Sequence, residues 1–343
     1  MSKIIFFLLL LLSVLACKSP EPQPIILKDL AFVVSGGSKT VEVIDLQKEE
    51  VVKTYIITNK KDRFPHHIYI SADNTKLAIA NPAYDFSKGH DGLHGKQLDG
   101  GLVVLDAATG NKIHDVNLPY ANYNAVFSPN DCEIWTAGFS HSGRGYILNS
   151  SSANIKAEVQ FDSDPSELFF TKDGQYAVVR SGESTFLQFM DINTREVVKV
   201  VKVDLSTGNA WPGYNDLVLV SNTSRKSVNF VDAKNFKVVD FIDFNFFPGF
   251  LIYNELTNEL WICDSPNNQI HVFKKINDVW SETKSLSFPG ADPHMIKFYA
   301  NFSKALVVSQ KGNTAVFIDA ISKVQKKTIS VGEKPNGIAL ISY

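Results

Sequence analysis

Residues 65–101 read PHHIYISADNTKLAIANPAYDFSKGHDGLHGKQLDGG, and the rest of the chain is organised around them. The first half is an apolar run, a polar turn and a second apolar run. This unit recurs as far as the C-terminus. The second half, residues 82–100, is a His- and Gly-rich insertion that no other copy of the unit carries.

One marker of the repeat is an aspartate at the corner between two apolar segments, as in VEVIDLQKEEVVKT. Aspartate suits such a corner because its carboxylate can accept hydrogen bonds from the backbone of the turn. The corners lie at Asp45, Asp106, Asp191, Asp232 and Asp319, with degenerate copies at Asn149 and Lys274. Successive corners are 41 to 45 residues apart, except for a first interval of 61 residues that contains the insertion.

A second marker is an apolar segment that begins after a proline and leads into a Ser/Thr-x-Asp turn. Clear copies begin at Pro65, Pro165, Pro293 and Pro335, and looser copies begin at Asn122, Asn209 and Pro248. Two markers with the same period and the same count predict an all-β, seven-bladed β-propeller with four antiparallel strands per blade. The units resemble those of the YVTN-repeat propeller family, which implies the same fold and is compatible with many functions.

The two ends of the chain predict how the ring closes. One strand, within residues 335–343, follows the last proline start, and three strands, within residues 30–56, precede the first. We expect these four strands to form one blade, because pairing of the chain ends removes the open edges of the ring. Residues 29–343 are therefore predicted to be a single propeller domain.

The first 28 residues lie outside the repeat. The apolar run after Lys3 is too short for a bilayer-spanning helix, so residues 1–16 are predicted to be an export signal peptide. The ending VLAC resembles the lipobox of bacterial lipoproteins, which implies cleavage before Cys17 and lipid attachment to its sulfur. A plain secretory signal is the alternative. Residues 17–28 contain the proline-rich segment KSPEPQP, which suits an extended tether.

These features predict a monomer that is lipid-anchored to a membrane of the bacterial cell envelope and faces the periplasm or the cell surface. The composition argues against nucleic acid as a partner, since 34 basic and 36 acidic residues leave a net charge of -2. The chain contains no GxSxG, P-loop, HExxH or GxGxxG motif. Cys132 and Cys263 fall in apolar runs of different repeats, so we expect two buried thiols and no disulfide.

Strand direction predicts that most of the histidines share one face of the ring. In an antiparallel blade, the start of the innermost strand and the loop between the second and third strands lie at the same end. We call this end the channel mouth. The candidate ligand-binding residues there are His66, His67, His90, Asp91, His94, His141, Arg144, Trp211 and His294.

Two hypotheses follow for the channel mouth. In one, His66, His67 and His294 bind a divalent transition metal, for which imidazole is a suitable ligand. The His66-His67 pair resembles the paired histidines of nitrous-oxide reductase propellers, which implies copper. In the other hypothesis, His66 and His294 are hydrogen-bonded channel residues and His90 and His94 are solvated loop residues.

The sequence favours a non-enzymatic binding or assembly module that uses the channel mouth to bind a protein, a glycan or a small ligand. The alternative is a periplasmic accessory protein that binds a metal or a redox cofactor through its histidines. Hydrolase or lyase activity from residues outside the known motifs is a third possibility.

Overall fold

The fold is that of a β-propeller, as seen in a computed structural model that describes residues 28–341 apart from 90, 94, 95, 183, 205–207 and 289. Within these residues, 28 strands form seven antiparallel sheets of four strands each. The helical content is confined to two short 3-10 helices, Phe86–Lys88 and Asp91–Leu93. The predicted fold class is therefore confirmed. No helix among the described residues is long and apolar enough to cross a membrane.

The blades are numbered in chain order, and blade 1 is the one that joins the two ends of the chain. The first eleven strands are β1 (Leu30–Ser35), β2 (Thr40–Asp45), β3 (Glu50–Ile56), β4 (His66–Ile70), β5 (Lys76–Ala80), β6 (Gly100–Asp106), β7 (Lys112–Leu118), β8 (Val126–Phe127), β9 (Glu133–Ala137), β10 (Arg144–Asn149) and β11 (Ile155–Gln160). Blade 2 contains β4 to β7, and blade 3 contains β8 to β11.

Blades 4 to 7 each use four consecutive strands. These strands are β12 (Pro165–Phe170), β13 (Tyr176–Ser181), β14 (Phe186–Asp191), β15 (Val197–Lys202), β16 (Ala210–Pro212), β17 (Leu217–Asn222), β18 (Ser227–Asp232), β19 (Lys237–Asp243), β20 (Leu251–Asn254), β21 (Glu259–Asp264), β22 (Gln269–Ile276), β23 (Val279–Ser287), β24 (Pro293–Tyr299), β25 (Lys304–Ser309), β26 (Thr314–Asp319) and β27 (Val324–Ser330).

Ring closure follows the prediction. The last strand, β28 (Pro335–Ile341), pairs antiparallel with β1, so blade 1 has the order β28-β1-β2-β3. Phe32 lies opposite Ala339 in this pairing, and Leu30 lies opposite Ile341. Because the two ends of the chain share one sheet, the ring cannot open without breaking these backbone hydrogen bonds.

The strands differ in burial according to their distance from the channel. The third strand of blade 7, TAVFID, is buried at its four central residues, whereas the fourth strand, VQKKTIS, is mostly exposed. The second and third strands of this blade are apolar on both faces because each face packs against a neighbouring blade. Trp135 and Trp261 lie in the second strands of their blades and are fully buried, as predicted. Their rings contact Phe170 and Phe298 of the next blade edge to face.

The aspartate corners are built as expected from their chemistry. The Asp191 carboxylate accepts hydrogen bonds from the backbone N–H groups of Asn193 and Thr194 at 2.8 and 2.9 Å. These bonds favour the charged form, so they lower the pKa of Asp191. The same arrangement at Asp106 explains why a single residue type marks so many copies of the repeat.

One expectation about the cysteines is wrong. Cys263 is buried within β21, but Cys132 is exposed. Cys132 belongs to the turn that precedes β9, which begins at Glu133, so the apolar run CEIWTA starts one residue before the strand. The predicted signal peptide, Cys17 and most of the tether lie outside the described residues.

Candidate functional site

A β-bulge brings two consecutive histidines to the channel mouth. Side chains normally alternate between the two faces of a strand. In β4 the pairing with β5 shifts between His66 and Ile68, and His67 has a left-handed φ of 49°. This local distortion lets both rings lie on the same side, where they stack with centroids 4.2 Å apart. Bulges that re-aim side chains are common beside functional sites, and a non-glycine residue with positive φ is strained.

The closing strand holds this bulge in place. The Asn336 side chain donates from Nδ2 to the Pro65 carbonyl at 3.0 Å and accepts from the His67 N–H at 3.1 Å. Gly337 follows it, and a Cβ at that position would lie 2.8 Å from the His67 Cα. A side chain there would therefore push β28 away from β4. The position of His67 thus depends on residues more than 260 positions away in the chain.

A third histidine completes the cluster from the opposite end of the sequence. His294 lies in a similar bulge of β24, where the pairing with β25 shifts between Pro293 and Met295. His66, His67 and His294 each offer a ring nitrogen, and these nitrogens lie within 4.8 Å of one another. His66 and His67 are buried, and His294 is half-buried. The three residues predicted as metal ligands are therefore neighbours in the structure.

Polar contacts orient two of the rings. His66 Nδ1 lies 2.9 Å from the carbonyl oxygen of Tyr123. A carbonyl only accepts, so Nδ1 carries the proton and Nε2 has the lone pair in the neutral ring. His67 Nδ1 lies 2.6 Å from Glu167 Oε1, although the contact is not aligned as a directional hydrogen bond. Both side chains of this pair are buried.

The surroundings favour the neutral form of His67 and His294. Burial lowers the pKa of His67 well below its ordinary value, and the charges of His294 and Lys297 act in the same direction. Burial also lowers the pKa of His294, while the nearby Asp292 and Glu167 carboxylates partly oppose this effect. Neutral imidazole is the form that can bind a metal ion, because the ring nitrogen then keeps its lone pair.

The histidines line a cavity of about 230 Å³ at the channel mouth. Trp211, Phe250 and Met295 also line this cavity. Together with His67, they line a second cavity further along the channel as well. The Trp211 indole Nε1 is buried and has no hydrogen-bond partner among the described residues. Trp211 therefore lines the channel mouth, and its role as a binding residue stays a prediction.

The insertion folds beside the histidine pair. Phe86 packs against His66 and Tyr123, with ring centroids 5.1 and 4.1 Å apart. Phe86 also belongs to a small hydrophobic cluster with Leu93, Ala121, Tyr123 and Phe139, which lies apart from the blade cores. The insertion therefore forms one wall of the channel mouth.

Two cations fasten the insertion to the ring. The buried Arg63 guanidinium donates to the carbonyl oxygens of Asn81 and Gly100, which flank the insertion, at 3.2 and 2.8 Å. Lys334, which precedes the closing strand, donates to Asp85 at 2.6 Å and to Ser87 at 3.1 Å. The Lys334 contact lowers the pKa of Asp85 even though burial alone would raise it.

Two of the remaining predicted residues, His141 and Arg144, do not join the cluster. His141 is exposed and lies 2.8 Å from Asp164, and the Arg144 guanidinium lies 3.4 Å from Glu158. Both contacts are at the rim of blade 3. His90 and His94 lie outside the described residues, and Asp91 begins the second 3-10 helix.

Glu167 and Lys297 also lie in the channel, although neither is among the residues predicted from the sequence. A signal was present in the repeat itself. Aligning PSELFF with PHHIYI places Glu167 at the position of His67, and aligning PHMIKF with PHHIYI places Lys297 at the position of Tyr69. The contact of His66 with the Tyr123 carbonyl had no such signal, because a backbone acceptor leaves no trace in residue type.

Comparison with known proteins identifies the fold and no more. No protein-family model matches this sequence, and a search of the curated proteins finds no match. Among solved structures, the periplasmic gluconolactonase of Pseudomonas aeruginosa matches with a TM-score of 0.71 and 13% identity, over 91% of this chain and 99% of that one.

Two further solved structures are similar. A putative 6-phosphogluconolactonase of Bacteroides fragilis has a TM-score of 0.70 and 14% identity, over 94% of this chain and 100% of that one. A dihydro-heme d1 dehydrogenase, solved in complex with DHE, has a TM-score of 0.65 and 15% identity, over 93% of this chain and 77% of that one. Identities this low establish a shared fold.

Replacing Asn336 by alanine should destabilise the fold and loosen the histidine bulge. The substitution leaves the Pro65 carbonyl and the His67 N–H without their partner, and each buried backbone group left unpaired costs about 1–3 kcal/mol. Urea unfolding of Asn336→Ala should show this loss. Gln47→Ala, at an exposed turn, is the control and should unfold close to the parent protein. Equal midpoints for all three proteins would contradict the assigned role of Asn336.

Acidification should destabilise the protein partly through His67 and His294. Their pKa values are lowered in the folded state, so the unfolded chain binds more protons once the pH falls below about 6.5. Stability from these groups is present above that pH and is lost as the pH falls. The urea midpoint should drop less between about pH 7.5 and 5.5 in His67→Gln plus His294→Gln than in the parent. His114→Gln, on an outer strand, should leave the drop unchanged, and an identical drop in all three proteins would refute the assignment.

Proposed function

We propose that the channel mouth binds a divalent transition-metal ion through His66, His67 and His294, and that the protein acts as a metal-dependent binding module. The observation that carries this proposal is the approach of three ring nitrogens to within 4.8 Å of one another in buried surroundings. Three imidazoles with an open further position are a common ligand set for zinc and related ions. The module binds its own ligand in the cavity beside the ion.

The contacts around the histidines support this assignment. A metal-binding histidine usually donates its second ring N–H to a backbone carbonyl or to a carboxylate, which fixes the orientation of the ring. His66 has the carbonyl of Tyr123 in this role, and His67 has the carboxylate of Glu167 beside it. These partners leave the two Nε2 atoms as the candidate ligand atoms.

The separation of the nitrogens indicates how the site would change on binding. In a tetrahedral site with metal–nitrogen distances of about 2.0–2.1 Å, the ligand nitrogens lie about 3.4 Å apart. The limit of 4.8 Å among the three histidines is wider. Binding therefore draws the ring nitrogens together by up to about 1.4 Å. The stacked rings of His66 and His67 must also tilt, since their lone pairs lie in planes only 21° apart.

The cavity determines what kind of ligand the module can bind. Its volume of about 230 Å³ suits a small molecule, and its lining combines aromatic side chains with the hydroxyl groups of Ser221, Thr223 and Ser265. A protein or a glycan would contact the rim formed by the insertion. Some of the structural neighbours have names that refer to lactones or to a heme. At 13–15% identity these names do not assign a ligand to this chain, so the ligand proposed here rests on the residues of its own channel mouth.

The location of the protein forms part of the proposal. The signal-like residues 1–16, the lipobox-like ending at Cys17 and the proline-rich residues 17–28 support a protein tethered by lipid to a membrane of the cell envelope. Two acyl chains or more would hold it there stably, whereas one would not. The propeller would then stand away from the membrane on its tether.

Metal binding can be measured with Co²⁺, whose visible absorption reports the ligand geometry. The purified protein should bind Co²⁺ stoichiometrically, and the absorption should be that of a low-coordinate site with nitrogen ligands. His66→Ala, His67→Ala and His294→Ala should each weaken binding about tenfold or more. His114→Ala, which removes an outer-strand histidine, should bind as the parent does. A triple variant that retains the full metal content would refute the proposal, provided that its melting temperature shows it to be folded.

Lipid anchoring can be tested separately in a bacterial host that processes lipoproteins. The parent protein should partition into the detergent phase of Triton X-114, because acyl chains on Cys17 supply the apolar anchor. Cys17→Ser should move to the aqueous phase, and Cys132→Ser, which changes an exposed thiol of the propeller, should behave as the parent. A parent protein that stays in the aqueous phase after export would favour the plain secretory signal.

A further inference from the structure

A second cavity, of about 280 Å³, occupies the channel below the channel mouth and has His67 of the histidine cluster in its lining. The two cavities share four lining residues, which are His67, Trp211, Phe250 and Met295. Glu255 and Phe302 lie in turns between first and second strands, so this cavity opens at the opposite end of the ring. We call it the lower well.

The walls of the lower well are largely apolar. The inner strands contribute Tyr69, Phe169, Leu251, Ile252 and Ile338 to it. A cavity of this size with apolar and aromatic walls is suited to a small apolar molecule. Because it shares its inner wall with the channel mouth but opens at the other end, its ligand does not have to pass the histidines.

Lys297 is the amine within these walls. It lies on the inner strand β24 and is half-buried. Among the described residues, no carboxylate lies within the 4.0 Å of an ion pair from its Nζ. By contrast, the exposed Lys234 lies 2.7 Å from Asp216 and the exposed Lys112 lies 2.9 Å from Asp115. A lysine in an apolar cavity without a close counter-ion is the arrangement that activates an amine as a nucleophile.

We propose that the lower well binds small apolar aldehydes or ketones, which form an imine with Lys297. In this step the lone pair of Nζ attacks the carbonyl carbon and a C–N bond forms. The carbonyl oxygen then leaves as water with the two amine protons, and a C=N bond replaces the C=O bond. Nothing is oxidised or reduced, so no further reactant is needed.

Charge favours a neutral carbonyl ligand over an organic anion. Glu167 also lines the lower well, and its charge is close enough to act on Lys297. An added carboxylate would therefore meet a negative group that is already present in an apolar cavity, which is unfavourable. Burial lowers the pKa of Lys297, although Glu167 opposes this effect, so a larger share of the amine is neutral than in an exposed lysine.

The test uses the full-length protein, hexanal as the carbonyl probe and cyanoborohydride to trap any imine. Intact mass and peptide mapping should show a single hexyl group, carried by Lys297. Lys297→Met should lose this adduct while melting like the parent, and Lys61→Met, which removes an exposed lysine, should keep it. His66→Ala should also keep it, so failure of the metal site and failure of this proposal are distinguishable.

Two outcomes would overturn the proposal. In the first, hexyl groups are spread over the exposed lysines and are absent from Lys297. In the second, hexanoate protects Lys297 from labelling more strongly than hexanol of the same length does, which would make the lower well an anion site. Glycolaldehyde, a polar probe, should label Lys297 less than hexanal if the apolar walls select the ligand.

Discussion

The side-chain amide of Asn336 bonds the last strand of the chain to the backbone beside His66 and His67, and the shape of the channel mouth depends on this contact. It bonds the Pro65 carbonyl and the His67 N–H, on either side of the bulge. Gly337 allows the two strands to approach closely. The strand that closes the ring therefore also supports the strained backbone of His67. The shape of the channel mouth therefore depends on ring closure, because Asn336 can reach Pro65 and His67 only when the last strand has joined blade 1.

The bulge matters because it changes which side chains meet. A regular strand would send His66 and His67 to opposite faces. With the bulge, both rings stack beside the Tyr123 carbonyl and the Glu167 carboxylate. Burial disfavours a charged imidazole, and it lowers the pKa of His67 well below its ordinary value. The same packing that strains the backbone therefore brings the two rings together at the channel mouth.

The channel has two ends with different chemistry. One end has histidines, hydroxyl groups and the insertion, whereas the other has apolar walls around Lys297. The difference arises because alternate residues of each innermost strand line the channel, and each such residue lies deeper in the channel than the one before it. His67, Glu167 and Met295 occupy equivalent positions in their blades, and so do Tyr69, Phe169 and Lys297 one step deeper. A propeller can thus carry two separate sites along one axis without any change of fold.

The sequence by itself determined the architecture of this protein: seven blades, four strands in each and closure by the two chain ends. Repeats carry that information locally, in turn chemistry and in the alternation of apolar segments. Strand direction also assigned His66, His67 and His294 to one end of the ring. Only the tertiary structure decided that these three histidines meet, that Glu167 and Lys297 join the channel, and that His141 and Arg144 stay at the rim. The physical reason is that contacts across the channel join residues from different blades, and their distances depend on bulges and close approaches that a repeat pattern does not record.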